Sequence, residues 1–291
     1  MRAVLLLFAV HLAWGQSAVS QLLEEKTLLR VRAFDESFDG VLGVAAVDLG
    51  AGHVVSYHGD AVFPQASSIK IAIMVQMFRA ERAGQFHFSD KVRLTEKDAA
   101  GGSGDLQNEL KKGPVTVTVA GLVRAMIEKS DNTATNACIR MAGMEPVNRT
   151  LHELGFSFTR LRRMMMDSAA AGRDEENVST PLEMARLVEL IHRGKAVDEQ
   201  ASREMLGLLK LARGGMREGV PKGVEVAAKP GDLPGVFCET GIVFHPARPF
   251  ALSVMSTFLG TDRNPVPAVT KIVYEHFDRL ARSNSYGNRL R

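Results

Sequence analysis

Strand-forming text gathers at the two ends of this chain, and that placement constrains the fold more than any other feature. Near the start, "VLGVAAVDLGAGHVVSYHGDAVF" gives two apolar runs joined by Gly50-Ala51-Gly52, a β-hairpin signal. Near the end come "GVEVAAKPG", "VFCETGIVFHP" and "FALSVMSTFLG". Between them, from Ser67 to about Gly207, the text is helical, broken at Gly84, Gly101–Gly104, Gly113-Pro114 and the Gly172–Pro181 region. An amphipathic helix precedes the first hairpin, and another runs from Pro267 to about Ser283. Strands at both ends must find each other to bury their apolar faces. The expectation is an α/β (α+β) fold with one antiparallel sheet built from both termini and flanked by helices. An all-helical lobe, about 63–207, is inserted into a sheet lobe of about 20–62 and 208–285, with a cleft between them.

With 291 residues, 45% of them hydrophobic, the chain can bury a sizeable core and is too apolar for disorder. The first residues, "MRAVLLLFAVHLAWGQ", read as a secretory signal peptide over residues 1–15, with cleavage after Gly15. Its apolar run falls short of the roughly 20 residues a spanning helix needs, so no membrane anchor is expected. The expected location is therefore outside the cytoplasm, secreted or periplasmic. The formal charge of +3 becomes +2 once Arg2 is removed, and no long basic block points to nucleic acid. Eight histidines show no clustered ligand spacing, so neither a metal nor another cofactor is expected. Cys138 and Cys238 could pair in an exported protein or stay free and buried.

Ser67 and Lys70 lie at i and i+3 at the head of a run that is apolar nearly all round, Ile69 to Met77, the mark of a buried helix. A lysine in its first turn is partly desolvated, which lowers its pKa and lets a neutral amine take the serine proton. A Ser-x-x-Lys match alone arises about once by chance in a chain of this length. Two further elements accompany it. Ser130-Asp131-Asn132 sits inside the helical region, where it can cap a helix and still point into a cleft. Lys229-Pro230-Gly231 follows a strand-like run, with Gly231 permitting close approach to the backbone.

Ser-x-x-Lys, Ser-Asp-Asn and Lys-x-Gly in that order form the motif set of class A β-lactamases and penicillin-binding proteins. The chain resembles that penicilloyl-serine family, class A most closely, from about Val41 to Ala281. "FPQASSIK", "GSGDLQ", "TRLRR", "STPLEMARLV" and "GIVFHP" add to the likeness. The resemblance implies Ser67 as nucleophile, Lys70 as its base, and Ser130 as proton relay to the leaving nitrogen. It implies that Lys229 tunes Ser130 and attracts a substrate carboxylate, and that Asn132 holds the substrate's side-chain amide. The backbone N–H groups of Ser67 and Asp232 would form the oxyanion hole, behind Gly231. Ser103 would lie on the cleft rim.

Two departures qualify this. The family has Thr or Ser where Pro230 stands, so one hydrogen bond to the substrate carboxylate is missing, worth roughly 1.5–3 kcal/mol. The proline is tolerable only at a sheet edge or strand end. The family also carries Glu-x-x-Leu-Asn after the segment matched by "TRLRR", and its glutamate activates the hydrolytic water. The register here puts Met165 at that glutamate and Ala169 at the asparagine. Asp167 is the nearest carboxylate, a candidate base or else a loop carboxylate paired with Arg162 or Arg163. Glu175 and Glu176 would need a different loop path to reach the cleft.

The expectation is a secreted class A-like serine β-lactamase that opens the β-lactam amide through an acyl-serine, with slow deacylation. The alternative is a penicillin-binding DD-peptidase acting on peptidoglycan stem peptides. A non-catalytic sensor of either ligand is a third. In each case the partner is a small β-lactam or cell-wall peptide, and the expected state is a monomer.

Overall fold

The computed structural model describes residues 17–261 and 263–290, so the signal-peptide reading lies outside the described residues. Helix α1 (Ala18–Glu36) leads into β1 (Val41–Asp48) and β2 (Val54–Tyr57). The short strand β3 (Phe63–Pro64) and one 3₁₀ turn (Ala66–Ile69) open the middle region. It continues through α2 (Lys70–Arg82), β4 (Lys91–Leu94), α3 (Leu106–Leu110), β5 (Val115–Thr118) and α4 (Val119–Glu128). Next come α5 (Asn132–Ala142), α6 (Met144–Glu153), α7 (Ser168–Ala171), β6 (Val178–Ser179), α8 (Pro181–His192) and α9 (Glu199–Leu209). The chain then returns to the sheet with β7 (Glu225–Leu233), β8 (Val236–Phe244) and β9 (Phe250–Thr257), and closes with α10 (Val266–Ala281).

The main sheet has five strands in the order β2-β1-β9-β8-β7, antiparallel throughout. Both ends of the chain thus meet at the β1–β9 pair, as the placement of the strand text requires. The hairpin turn forms where expected, with Asp48 Oδ1 accepting from the N–H groups of Gly50 and Ala51 at 2.8 Å each. β1 and β9 are buried almost end to end, because each face of the sheet is covered. On one face lie α1 and α10, with Val31, Leu42, Phe250 and Phe277 in the core between them. On the other lies α8, whose Ala185 and Val188 share a core with Ala45 and Ala251.

α8 falls within the stretch read as the helical lobe, yet it packs on β1, β8 and β9. The middle region also holds two short ribbons, β4 with β5 and β3 with β6. Neither pair shows alternation long enough to stand out in the sequence. α2 runs through the centre of the helical lobe, with every residue from Lys70 to Phe78 buried. A helix packed on all sides has no polar face to spare, which is why its apolar run lacks periodicity. β7 is an edge strand, so the N–H that Pro230 lacks costs no ladder hydrogen bond.

Among the described residues no helix is long and apolar enough to cross a membrane, and no cluster of metal-ligating side chains occurs. Cys138 lies in α5 and Cys238 in β8, both buried and unpaired.

Candidate active site

The 3₁₀ turn places Ser67 directly before α2, and in that geometry residues i and i+3 eclipse one another. Ser67 and Lys70 therefore share one face, Ser67 half-buried at the cleft and Lys70 wholly buried beneath it. The turn is entered through Ala66 at φ +42°, a left-handed conformation that costs a non-glycine residue energy. Ser130 is held the same way, at φ +55°. Such conformations persist only where the surrounding tertiary contacts hold them.

Lys70 Nζ lies 2.7 Å from Ser130 O, 3.0 Å from Ser130 Oγ and 2.9 Å from Asn132 Oδ1. Burial drives the Lys70 amine well below the ordinary lysine range, and the like charge of Lys229 adds to this against Asp131 and Asp232. A neutral amine gives two N–H bonds, here to Ser130 O and Asn132 Oδ1, and keeps a lone pair for a hydroxyl proton. Asp131 caps α5 through Ala134 N–H at 2.8 Å and also accepts from Leu106 N–H at 2.9 Å. The Ser-Asp-Asn loop is therefore both a helix cap and a wall of the site. Asn132 Nδ2 donates to Gly101 O at 2.9 Å and its backbone N–H to Ser103 O at 3.0 Å, so "GSGDLQ" is tied to it. Ser103 is exposed on the rim.

β7 closes the other side. A Cβ at Gly231 would stand 2.6 Å from Ser67 N, 2.8 Å from Ser68 N and 2.9 Å from Cys238 Sγ, so only glycine lets the strand come this near Ser67. Lys229 is 1% exposed, and burial pushes its amine down to about 8, opposed by Cys238, Glu239 and Asp232. Its Nζ donates to Pro230 O at 3.0 Å. Behind Gly231 the Cys238 thiol donates to Gln65 O at 2.9 Å and ties β8 to the residue before the turn that carries Ser67.

One cleft of about 810 Å³ is lined by Ser67, Ser103, Asn132, Asp167 and Asp232 together. Its remaining wall is the loop that carries Met165. Asn136 fixes that loop from α5, accepting from Met165 N–H at 2.8 Å and donating to Met165 O at 3.1 Å. Met165 is buried and lines the cleft. Asp167 also faces the cleft, but Oδ1 caps α7 through Ala170 N–H at 3.0 Å. The pairing with Arg162 or Arg163 does not form, because Arg163 is taken by Glu176 in a forked bond of 2.9–3.2 Å. Glu176 thus lines the cleft, with both its oxygens engaged by Arg163. Asn177 closes the loop's neck, accepting from the N–H groups of Arg162 and Arg163.

The clasps made by Asn136, Glu176, Asn177 and Cys238 escaped the sequence reading. Each joins residues 13 or more positions apart through groups that carry no local pattern. Glu176 and Cys238 had been singled out, each for a different role.

Residues 26–277 match the signature described as the beta-lactamase enzyme family. Beta-lactamase ROB-1 of Haemophilus influenzae is 26% identical over 249 residues, covering 83% of this chain and 79% of that protein. The structure of a beta-lactamase from Sphaerobacter thermophilus superposes with a TM-score of 0.79 at 28% identity, covering 87% of this chain and 97% of that one. The fold is shared as well by PBP-A, with a TM-score of 0.79 at 24% identity over 87% of this chain and 96% of that one. With a serine set over a buried lysine, a Ser-Asp-Asn loop that caps α5 and a glycine-edged strand arranged about one cleft, this chain belongs to the beta-lactamase enzyme family.

Proposed function

We propose that the protein hydrolyses β-lactams through an acyl-Ser67 intermediate, and that release of the acyl group is its slow step. The observation that carries the reading is the wholly buried Lys70 amine, bonded to Ser130 and Asn132 and sharing a face with Ser67. The neutral amine takes the Ser67 proton as Oγ attacks the lactam carbonyl. The N–H groups of Ser67 and Asp232 bind the oxyanion. Ser130, beside Lys70, passes a proton to the leaving nitrogen as the C–N bond breaks, and Lys229 favours the anionic groups of the substrate.

Deacylation needs a base to activate water, and Met165, held by Asn136, stands in its place. A thioether accepts no proton. The adduct should therefore persist far longer than it takes to form. The same feature favours a second reading, a DD-peptidase acting on peptidoglycan stem peptides, which uses the acylating residues alone. We place either activity outside the cytoplasm after loss of residues 1–15, which N-terminal sequencing of the exported protein would check.

Intact-protein mass spectrometry after mixing with benzylpenicillin tests the proposal, with Ser67→Ala as control. The expected result is a one-equivalent adduct on the wild type that clears slowly while penicilloate accumulates. No adduct would refute Ser67 acylation. A permanent adduct, with release of D-alanine from a stem peptide, would establish the second reading instead.

A further inference from the structure

Beside the cleft, behind the edge of β7, lies a second cavity of about 490 Å³ that the mechanism above does not use. Its floor is Glu239 of β8, the direct cross-strand partner of Pro230. The side chain is 1% exposed, and Oε2 accepts from Met216 N–H at 3.1 Å. Gly214 presses so closely that a Cβ there would stand 2.3 Å from Oε1. The cavity opens onto Gly231 and Asp232, so it adjoins the strand that lines the reacting centre.

The charges facing Glu239 are Lys229 and Asp232 from β7, with Arg213, Arg217 and Glu218 from the segment after α9. On β8 itself the neighbour is the Cys238 thiol, held neutral by burial. Arg217 spends its guanidinium on Lys210 O and Ala212 O, which leaves Arg213 as the other cation lining the cavity. A carboxylate arriving here meets no hydroxyl at Pro230. It meets instead a second carboxyl whose charge, being buried, water does not screen. The repulsion disappears if that carboxyl holds a proton.

We propose that Glu239 is a specificity-determining residue that makes binding of a substrate's carboxylate dependent on uptake of one proton, while substrates lacking that charge bind without it. Burial holds the Glu239 carboxyl up at about 7, against the Met216 and Gly215 N–H groups, Lys229 and Arg217. The switch therefore falls near neutral pH. Carboxylate ligands are admitted below it and repelled above it.

The inference rests on the proposed ligand class, and its test avoids the reaction. Binding of benzylpenicillin, of its methyl ester and of a blocked peptide ending in D-Ala-D-Ala is measured calorimetrically. The Ser67→Ala protein is used from about pH 5.5 to about pH 8.5, with and without Glu239→Gln. The expected result is a loss of affinity of about tenfold per pH unit above neutrality for free carboxylates, none for the ester, and no such transition in the Gln variant. Any transition near pH 8 from Lys229 stays in both proteins. Should the Gln variant not fold, proton uptake on binding, read from buffers of different ionisation enthalpy, decides the matter. It should approach one proton for benzylpenicillin and zero for the ester. Whichever of penicillin and peptide shows the transition identifies the source of the carboxylate. Parallel profiles for acid and ester, or no binding at any pH, overturn the proposal. The mass-spectrometric test of Ser67 stands apart, so acylation without proton linkage refutes this inference alone.

Discussion

Replacing Gly231 by alanine tests the architecture of the site more directly than removing a reacting group. The added Cβ would sit 2.6 Å from Ser67 N and 2.8 Å from Ser68 N, where ordinary contact begins at 3.4 Å. Both neighbours are backbone, so no side chain can swing away, and β7 must withdraw from the nucleophile's turn by about 0.8 Å, the shortfall between 2.6 and 3.4 Å. β7 has only β8 beside it, and so the strand can yield without unfolding the sheet. Withdrawal parts the two N–H groups assigned to the oxyanion, and loss of one such donor costs roughly 10²–10³-fold in rate. Gly231→Ala should keep its circular dichroism and melt within several degrees of wild type, while the second-order rate of acylation by benzylpenicillin falls at least about 100-fold. Acylation within a few-fold of wild type by a folded Gly231→Ala protein would refute the claim that β7 positions the oxyanion hole.

Met165→Glu puts a carboxylate where Asn136 already fixes the backbone, and should shorten the acyl-enzyme lifetime by about 10²-fold or more. An unchanged lifetime in chase experiments would mean that more than the base is missing. Asp167→Asn keeps a cap for α7 and should leave that lifetime within a few-fold, whereas clear lengthening would make Asp167 the base. Glu239 also predicts a stability slope. Its carboxyl is raised from 4.5 to about 7, so between those values the folded state binds more protons than the unfolded state, and stability falls as pH rises. Wild type should therefore lose about 3 kcal/mol more than Glu239→Gln between pH 4.5 and pH 7 in denaturant titrations, and parallel curves would show that Glu239 does not titrate there.

Much of the architecture is legible in the order of the text. Strands at the two ends have no stable option except pairing with each other, and the unbroken apolar stretch of α2 can only be a helix packed on every side. Ser67 with Lys70, and Asp131 as cap of α5, follow from spacing because i, i+3 contacts and helix caps are local. That α8, within the stretch read as helical, packs on the sheet was not legible, since an amphipathic helix shows which face is buried but not against what.

The sequence by itself determined the three motifs, and the register that puts Met165 where the resemblance implies a glutamate, because residue types and their order are local properties. Only the tertiary structure decided how near β7 comes to Ser67, that Arg163 turns to Glu176 while Asp167 caps α7, and that Glu239 lines a second cavity opposite Pro230. Those are distances between segments remote in the chain. They are set by how whole elements pack, and burial then fixes the charge that each group can carry.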